Sequence, residues 1–269
     1  MTASFRRFIL ALGISLSFAG LALPAAAQGG PIGIVVMHGK GGSPTKHVAD
    51  LAAALKDQGL LVANLEMPWS GRREYDVPVS QAVTEVELAL ATLREQGAQK
   101  LFVAGHSQGG LFTLYLGGQL KVDGLIAMAP GGSAGSKVYR EKLADAMTGA
   151  SRLVAEGKGH EKARLMDYES ARGTYPVVVA PAIYLSWFDL AGAMNQSTAL
   201  NKLNPAIPVL LIVPTRDYPG LLRLKQETAA ALPRHPQTRL YEPDATHLEA
   251  PTASAPEIIR WIRAVAGGR

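Results

Sequence analysis

The sequence predicts a three-layer α/β fold, a doubly wound and mostly parallel sheet with helices on both faces. Three observations carry this expectation. Short β-branched apolar runs alternate with helix-spaced segments along most of the chain. The pattern Gly105-His106-Ser107-Gln108-Gly109 stands between one such run and one such helix. Polar and titratable residues recur just after the predicted strands, the end of an open parallel sheet at which ligands bind.

Ile32 to Met37 is a β-branched run and reads as a buried strand. His38 to Pro44 is a glycine-rich loop. Lys46 to Gln58 sets Val48, Leu51 and Leu55 at helical spacing and stops at Gly59. Leu60 to Leu65 is a second strand, and Glu66 to Pro78 a polar loop carrying Trp69 and Tyr75. Val79 to Gln96 reads as a helix with Ser80 as N-cap and Gly97 just past its end. Leu101 to Ala104 is the third strand and leads into Ser107; Gln108 to Leu120 is a helix and Gly124 to Ala129 a strand. The alternation then pauses. Residues 131–205 form a cap-like insertion, with a helix over Lys137 to Ala155 and an irregular aromatic-rich stretch from Tyr168 to Trp187. Ile207 to Val213 resumes as a strand, followed by a helix (Leu221 to Leu232), a short strand (Thr238 to Tyr241) and a last helix (Ala255 to Val265).

Composition bounds the class. With 269 residues, 48% hydrophobic and 18% charged, the chain is long enough for one α/β domain with a sizeable core. Residues 1–27 have the pattern of a signal peptide: basic Arg6 and Arg7, an apolar run from Phe8 to Leu23, and Ala25-Ala26-Ala27 before Gln28. This predicts export to a periplasmic or secreted location and a folded domain over 28–269. The formal charge of +5 falls to +3 without Arg6 and Arg7, and no Lys/Arg-rich run argues for nucleic acid. No other segment is apolar and long enough to span a membrane. The chain lacks cysteine, so stability rests on the core and no thiol chemistry is available. Neither H-E-x-x-H nor a dense His/Asp cluster is present, and no metal or cofactor is expected. The His38–Pro44 loop fits no phosphate-binding template, since Pro44 stands where G-x-G-x-x-G needs glycine and Lys40 is followed by Gly41.

A serine on a sharp strand-to-helix turn has its hydroxyl exposed above the sheet, and flanking glycines relieve the crowding. Serine needs a base to act as nucleophile, usually a histidine oriented by a carboxylate. His247, in the loop between the last strand and last helix, is the candidate base. Asp217, after the strong strand ending at Val213, is the candidate acid; Asp189, Glu242 and Asp244 compete, and Asp244 is placed to order its own loop. An oxyanion needs two preorganised N–H donors. The backbone N–H of Gln108 at the helix start is one. The other is expected from the His38 loop, at Lys40 first and Gly41 second.

On the His38-Gly39 loop, the G-H-S-x-G turn, Asp217 and His247, the chain resembles the α/β-hydrolase superfamily from Ile32 to about Val265, most of all compact bacterial serine hydrolases of the esterase/lipase type. The resemblance implies Ser107 as nucleophile, His247 as general base and Asp217 as orienting acid. It implies cleavage of a small-molecule carboxylic ester through an acyl-enzyme. The same triad serves amides and peptides, and the fold also hosts non-catalytic binding proteins. The chain departs from the family pattern by entering at Ile32 with no N-terminal hairpin, and its insertion matches no particular cap. Trp69 and Tyr75 on one loop, with Trp187 on the other, are expected to line an apolar cleft. A monomer or weak dimer is the expected state.

Overall fold

The computed structural model describes residue 1 and residues 30–267, so the expected signal peptide, apart from Met1, lies outside the described residues. The main sheet contains β1 (Ile32–Met37), β2 (Leu61–Leu65), β3 (Lys100–His106), β4 (Gly124–Met128), β7 (Val209–Ile212) and β8 (Arg239–Tyr241). Its order is β2-β1-β3-β4-β7-β8 and every pairing is parallel. Helices α1 (Ala49–Asp57), α2 (Val79–Glu95), α3 (Gln108–Leu116), α7 (Pro219–Ala230), α8 (Ala250–Ala253) and α9 (Ala255–Ala266) connect or follow these strands. Between β4 and β7 lie α4 (Lys137–Ala155), a hairpin of β5 (Ala163–Glu169) and β6 (Gly173–Val179), α5 (Pro181–Phe188) and α6 (Gln196–Asn201).

The period-2 alternation of the strands splits the core in two. Ile34, Val36, Phe102, Ala104, Ile126 and Met128 face a layer built on Leu51, Leu55, Ile258, Trp261 and Ile262. Val35, Met37, Leu101, Val103, Leu125 and Ala127 face the opposite way, onto α2, α3 and the insertion. Both faces are covered, which is why the strands read as continuous apolar runs. Among the described residues no antiparallel strand joins this sheet.

Three local expectations change. The first helix begins at Ala49, because His47 takes a left-handed φ of 57° that no α-helix continues through. Helix α2 is capped at Pro78 with no side-chain cap hydrogen bond, so Ser80 is not the N-cap; Gly97 does follow the helix in the left-handed region, at φ 101°. The stretch from Tyr168 onward is ordered. It completes the antiparallel β5–β6 hairpin and then α5. Pro176 masks the strand, and a two-stranded hairpin tolerates proline because both its strands are edges.

The turn around Ser107 sets the closest backbone packing. A Cβ on Gly105 would overlap the Gly109 carbonyl, and one on Gly109 would stand 2.7 Å from the His38 oxygen. Backbone cannot yield as a side-chain tip can. Gly109→Ala is therefore expected to lower the unfolding free energy by about 1–3 kcal/mol, read as the shift of a urea midpoint. Gly149→Ala, inside α4 where nothing lies within 4 Å of the new methyl, is the contrasting case and should stabilise by about 0.5–1 kcal/mol.

Candidate active site

Ser107 sits between β3 and α3 at φ 55°, ψ −117°. A non-glycine residue there costs on the order of 1–3 kcal/mol and persists only when its surroundings hold it. Here they do. The Ser107 N–H donates to the Met128 carbonyl at 2.8 Å, and its own carbonyl accepts from Leu111 at 3.0 Å and Gly131 at 3.1 Å. Gly39 completes the fit: a Cβ there would be 3.0 Å from that of Ser107.

Beyond β7 and β8 the ladder continues into the loops. Val213 N–H donates to Tyr241, Thr215 to Pro243 and Arg216 to Ala245, all between 2.9 and 3.0 Å, and Arg216 and Thr246 form a parallel bridge. The next residue on each side of that bridge is Asp217 and His247. Their side chains meet, with His247 Nδ1 donating to Asp217 Oδ1 at 2.7 Å. Both are buried, and the Tyr218 N–H adds a second donor to the same oxygen at 2.6 Å. The bond fixes the tautomer and leaves His247 Nε2 for chemistry. Asp244 is exposed and bonds Arg216 at 3.0 Å, so it clamps the loop and does not reach the histidine.

His247 and Ser107 line one cleft with Lys40, Gln108, Gly131, Gly132, Tyr139, Glu169, Ser170, Tyr218 and Leu221. The Gln108 N–H is in the first turn of α3, where a helix leaves its donors unpaired. Among the described residues no backbone acceptor takes the Lys40 N–H. Gly41 differs from expectation. Its N–H donates to Trp69 O at 2.9 Å and is committed to holding the loop. His38 is committed too. Its Nδ1 donates to Gly39 O at 2.7 Å and its Nε2 accepts from the Met67 N–H at 3.0 Å.

The three expected wall aromatics are core residues. Trp69, Tyr75 and Trp187 are at most 3% exposed. Trp69 donates to His38 O and Trp187 to Val77 O, each at 2.8 Å, and the rings pack edge-on at 5.7 Å. A buried indole must both fill space and find an acceptor; Trp69 ties the β2–α2 loop to the His38 loop, and Trp187 ties the insertion to the β2–α2 loop. Glu169, Ser170 and Tyr218 are in the cleft instead. A wider groove continues from it along Ser136, Val138, Tyr139, Tyr168, Leu221 and Leu224.

Sequence reasoning missed a buried polar hub beside the cleft. Asp167, fully buried on β5, accepts from Lys40 Nζ at 2.6 Å and its own Tyr168 N–H at 2.6 Å through Oδ1. Through Oδ2 it accepts from the Tyr75 and Tyr175 hydroxyls at 2.9 and 3.0 Å. Lys40 Nζ also donates to Tyr168 O at 3.1 Å and Tyr139 Oη at 3.3 Å. Burial alone would depress the Lys40 ammonium, but the Asp167 carboxylate and the Tyr139 hydroxyl outweigh it and hold Lys40 above its usual range. Burial raises Tyr75 and Tyr175, which therefore stay protonated and donate. The available signal was alternation: Leu165 and Asp167 share the inward face of a strand, as Tyr175, Val177 and Val179 do opposite.

His106 is buried beside His247, its Nε2 donating to the His247 carbonyl at 2.8 Å. Desolvation, helped by the neighbouring His247, pushes its pKa down to about 3, while an unfolded histidine titrates near 6.5. As pH falls from about 6.5 toward 3 the unfolded chain takes up a proton that the folded chain refuses, so stability drops by up to about 1.4 kcal/mol per pH unit. Unfolding midpoints between pH 7 and 4 should show this acid slope, and His106→Gln should flatten it.

The chain matches the alpha/beta hydrolase family over residues 34–259. Among curated proteins nothing matches it. Solved structures share the fold at low identity. One comes from work on LipS and LipT, two metagenome-derived lipolytic enzymes: TM-score 0.60, 20% identity, covering 87% of this chain and 94% of that one. The monoacylglycerol lipase of Paleococcus ferrophilus aligns with TM-score 0.61 and 19% identity, over 87% and 94%. Est1E from Butyrivibrio proteoclasticus, bound to ferulic acid, aligns with TM-score 0.57 and 16% identity, over 90% and 93%. With most of its length matched and its sheet, serine turn and histidine–aspartate pair arranged as described, the chain belongs to the alpha/beta hydrolase family.

Proposed function

We propose that the protein is a serine hydrolase cleaving carboxylic esters through an acyl-enzyme. The observation that carries this reading is the 2.7 Å bond from His247 Nδ1 to Asp217 Oδ1 in a cleft shared with the strained Ser107. In the reaction Ser107 Oγ attacks the ester carbonyl carbon and its proton passes to His247 Nε2. The Asp217 carboxylate stabilises the resulting imidazolium. Negative charge on the carbonyl oxygen is met by the backbone N–H groups of Gln108 and Lys40. Collapse returns the proton to the leaving alkoxide and releases the alcohol. Water, deprotonated by His247, then attacks the acyl carbon; Ser107 leaves, recovers its proton and frees the acid.

The groove beyond the cleft supports an ester with a sizeable apolar part. Val138, Leu221, Leu224 and the rings of Tyr139, Tyr168 and Tyr218 give it apolar surface, with Lys137, Glu141 and Arg223 also on its walls. The lipolytic and esterase names of the structural neighbours agree with this class. The leader pattern at 1–27 supports action outside the cytoplasm.

A fluorophosphonate probe should label the wild-type chain once, and Ser107→Ala should take no label. Folded, unlabelled wild type would overturn the reading. Asp217→Asn keeps the shape but allows the wrong histidine tautomer, and should cut kcat by as much as about 10⁴ on p-nitrophenyl esters. A panel of those esters against aminoacyl anilides tests the ester preference, and faster anilide cleavage would make the enzyme an amidase.

A further inference from the structure

Besides the residues it lends to the cleft wall, the insertion places one buried carboxylate, Asp167, next to the cleft. We infer that Asp167 is the positioning residue that holds both oxyanion donors in place, so that the β5–β6 hairpin completes the reaction centre. The inference rests on the hydrolase reading above.

The two proposed donors are backbone N–H groups aimed by the backbone itself, Gln108 by the first turn of α3 and Lys40 by the His38 loop. Their side chains tie those two segments to one carboxylate. Lys40 ends at Asp167: Nζ lies 2.6 Å from Oδ1, 3.1 Å from Tyr168 O and 3.3 Å from Tyr139 Oη. The Lys40 side chain is almost wholly inaccessible, although lysine heads normally seek water. Turning it inward pins the Lys40 peptide at the cleft. Gln108 reaches the same carboxylate through one intermediate. Its Nε2 donates to Tyr75 Oη at 3.3 Å, and that hydroxyl donates to Asp167 Oδ2 at 2.9 Å. Asp167 thus stands on two arms, one to each donor residue.

The charged and titratable neighbours point the same way. From the His38 loop comes Lys40, from the β2–α2 loop Tyr75, from α4 Tyr139, and from β6 Tyr175. The carboxylate is supplied by the insertion, while the donors belong to the His38 loop after β1 and to the first turn of α3. Preorganised donors matter most when they need not move as charge develops. Loosening the hub should therefore act on the transition state more than on substrate binding.

The test uses the full chain with two variants, p-nitrophenyl butyrate as substrate and an alkyl trifluoromethyl ketone as inhibitor. The ketone takes Ser107 Oγ at its carbonyl carbon, the serine proton moves to His247, and the resulting oxyanion reports the donors. Tyr75→Phe removes one hydroxyl and leaves the Lys40–Asp167 pair intact; Asp167→Asn removes the charge that holds Lys40. Loss of a whole donor costs about 10²–10³ in kcat. Misplacement is expected to cost about tenfold in Tyr75→Phe and about tenfold to a hundredfold in Asp167→Asn. KM should stay within about twofold, and ketone affinity should weaken in proportion to kcat. Circular dichroism checks folding, and Tyr75→Phe decides the matter if Asp167→Asn does not fold. Folded variants with wild-type kcat and ketone affinity overturn the inference, as does a rise in KM alone. A wild-type chain that neither hydrolyses ester nor takes a fluorophosphonate fails differently, removing the hydrolase reading and this inference with it.

Discussion

Everything at the cleft depends on a backbone conformation that a serine would not choose. Ser107 at φ 55° is tolerable because its amide and carbonyl are both bonded and because the chain around it has surrendered its side chains. Gly39, Gly105 and Gly109 each have a neighbour where a Cβ would go, and for Gly105 and Gly109 that neighbour is backbone. The strain is thus distributed over β1, β3, β4 and α3. Those elements are buried on both faces, and the two core clusters that meet across the sheet keep the turn from relaxing.

The second constraint is a shared ladder. The hydrogen bonds that pair β7 with β8 do not stop at the ends of the strands but run on through Val213, Thr215 and Arg216. Asp217 and His247 are delivered side by side as the next step of a register already set in the sheet. His106 links this ladder to the serine turn by donating to the His247 carbonyl. A parallel sheet gathers such loops at one end, and here that end holds every residue proposed to act.

Much of this was legible in the sequence, for physical reasons. Both faces of the sheet are covered, so strands announce themselves as β-branched runs, and Ile32–Met37 has the same bounds by either route. Ser107, Asp217 and His247 could be named because each follows such a run. The insertion was less readable. Strand β5 carries arginine, aspartate and glutamate, and in β6 a proline interrupts an otherwise strand-like run of threonine, tyrosine and valines. Asp167 drew no notice because its partners, Lys40, Tyr75 and Tyr175, come from three separate segments. Trp69, Tyr75 and Trp187 misled for the opposite reason. Large rings near a loop suit a cleft wall and a core equally, and only burial separates the two. Gly41 has a donor's place in the loop, but its amide is committed to the Trp69 carbonyl, a pairing across segments that sequence spacing does not reveal.

The position of β8 has a consequence for how the protein would fail. It is a three-residue strand at the edge of the sheet, paired on one side only. Segments with few buried contacts open locally at lower free energy than the core strands. His247, proposed as the base, follows this edge strand, whereas Ser107 follows β3 near the middle of the sheet. Heat or denaturant would then separate histidine from serine by local fraying while the core stays folded. On the proposed reading, activity would be lost before the core melts and would return on cooling without refolding.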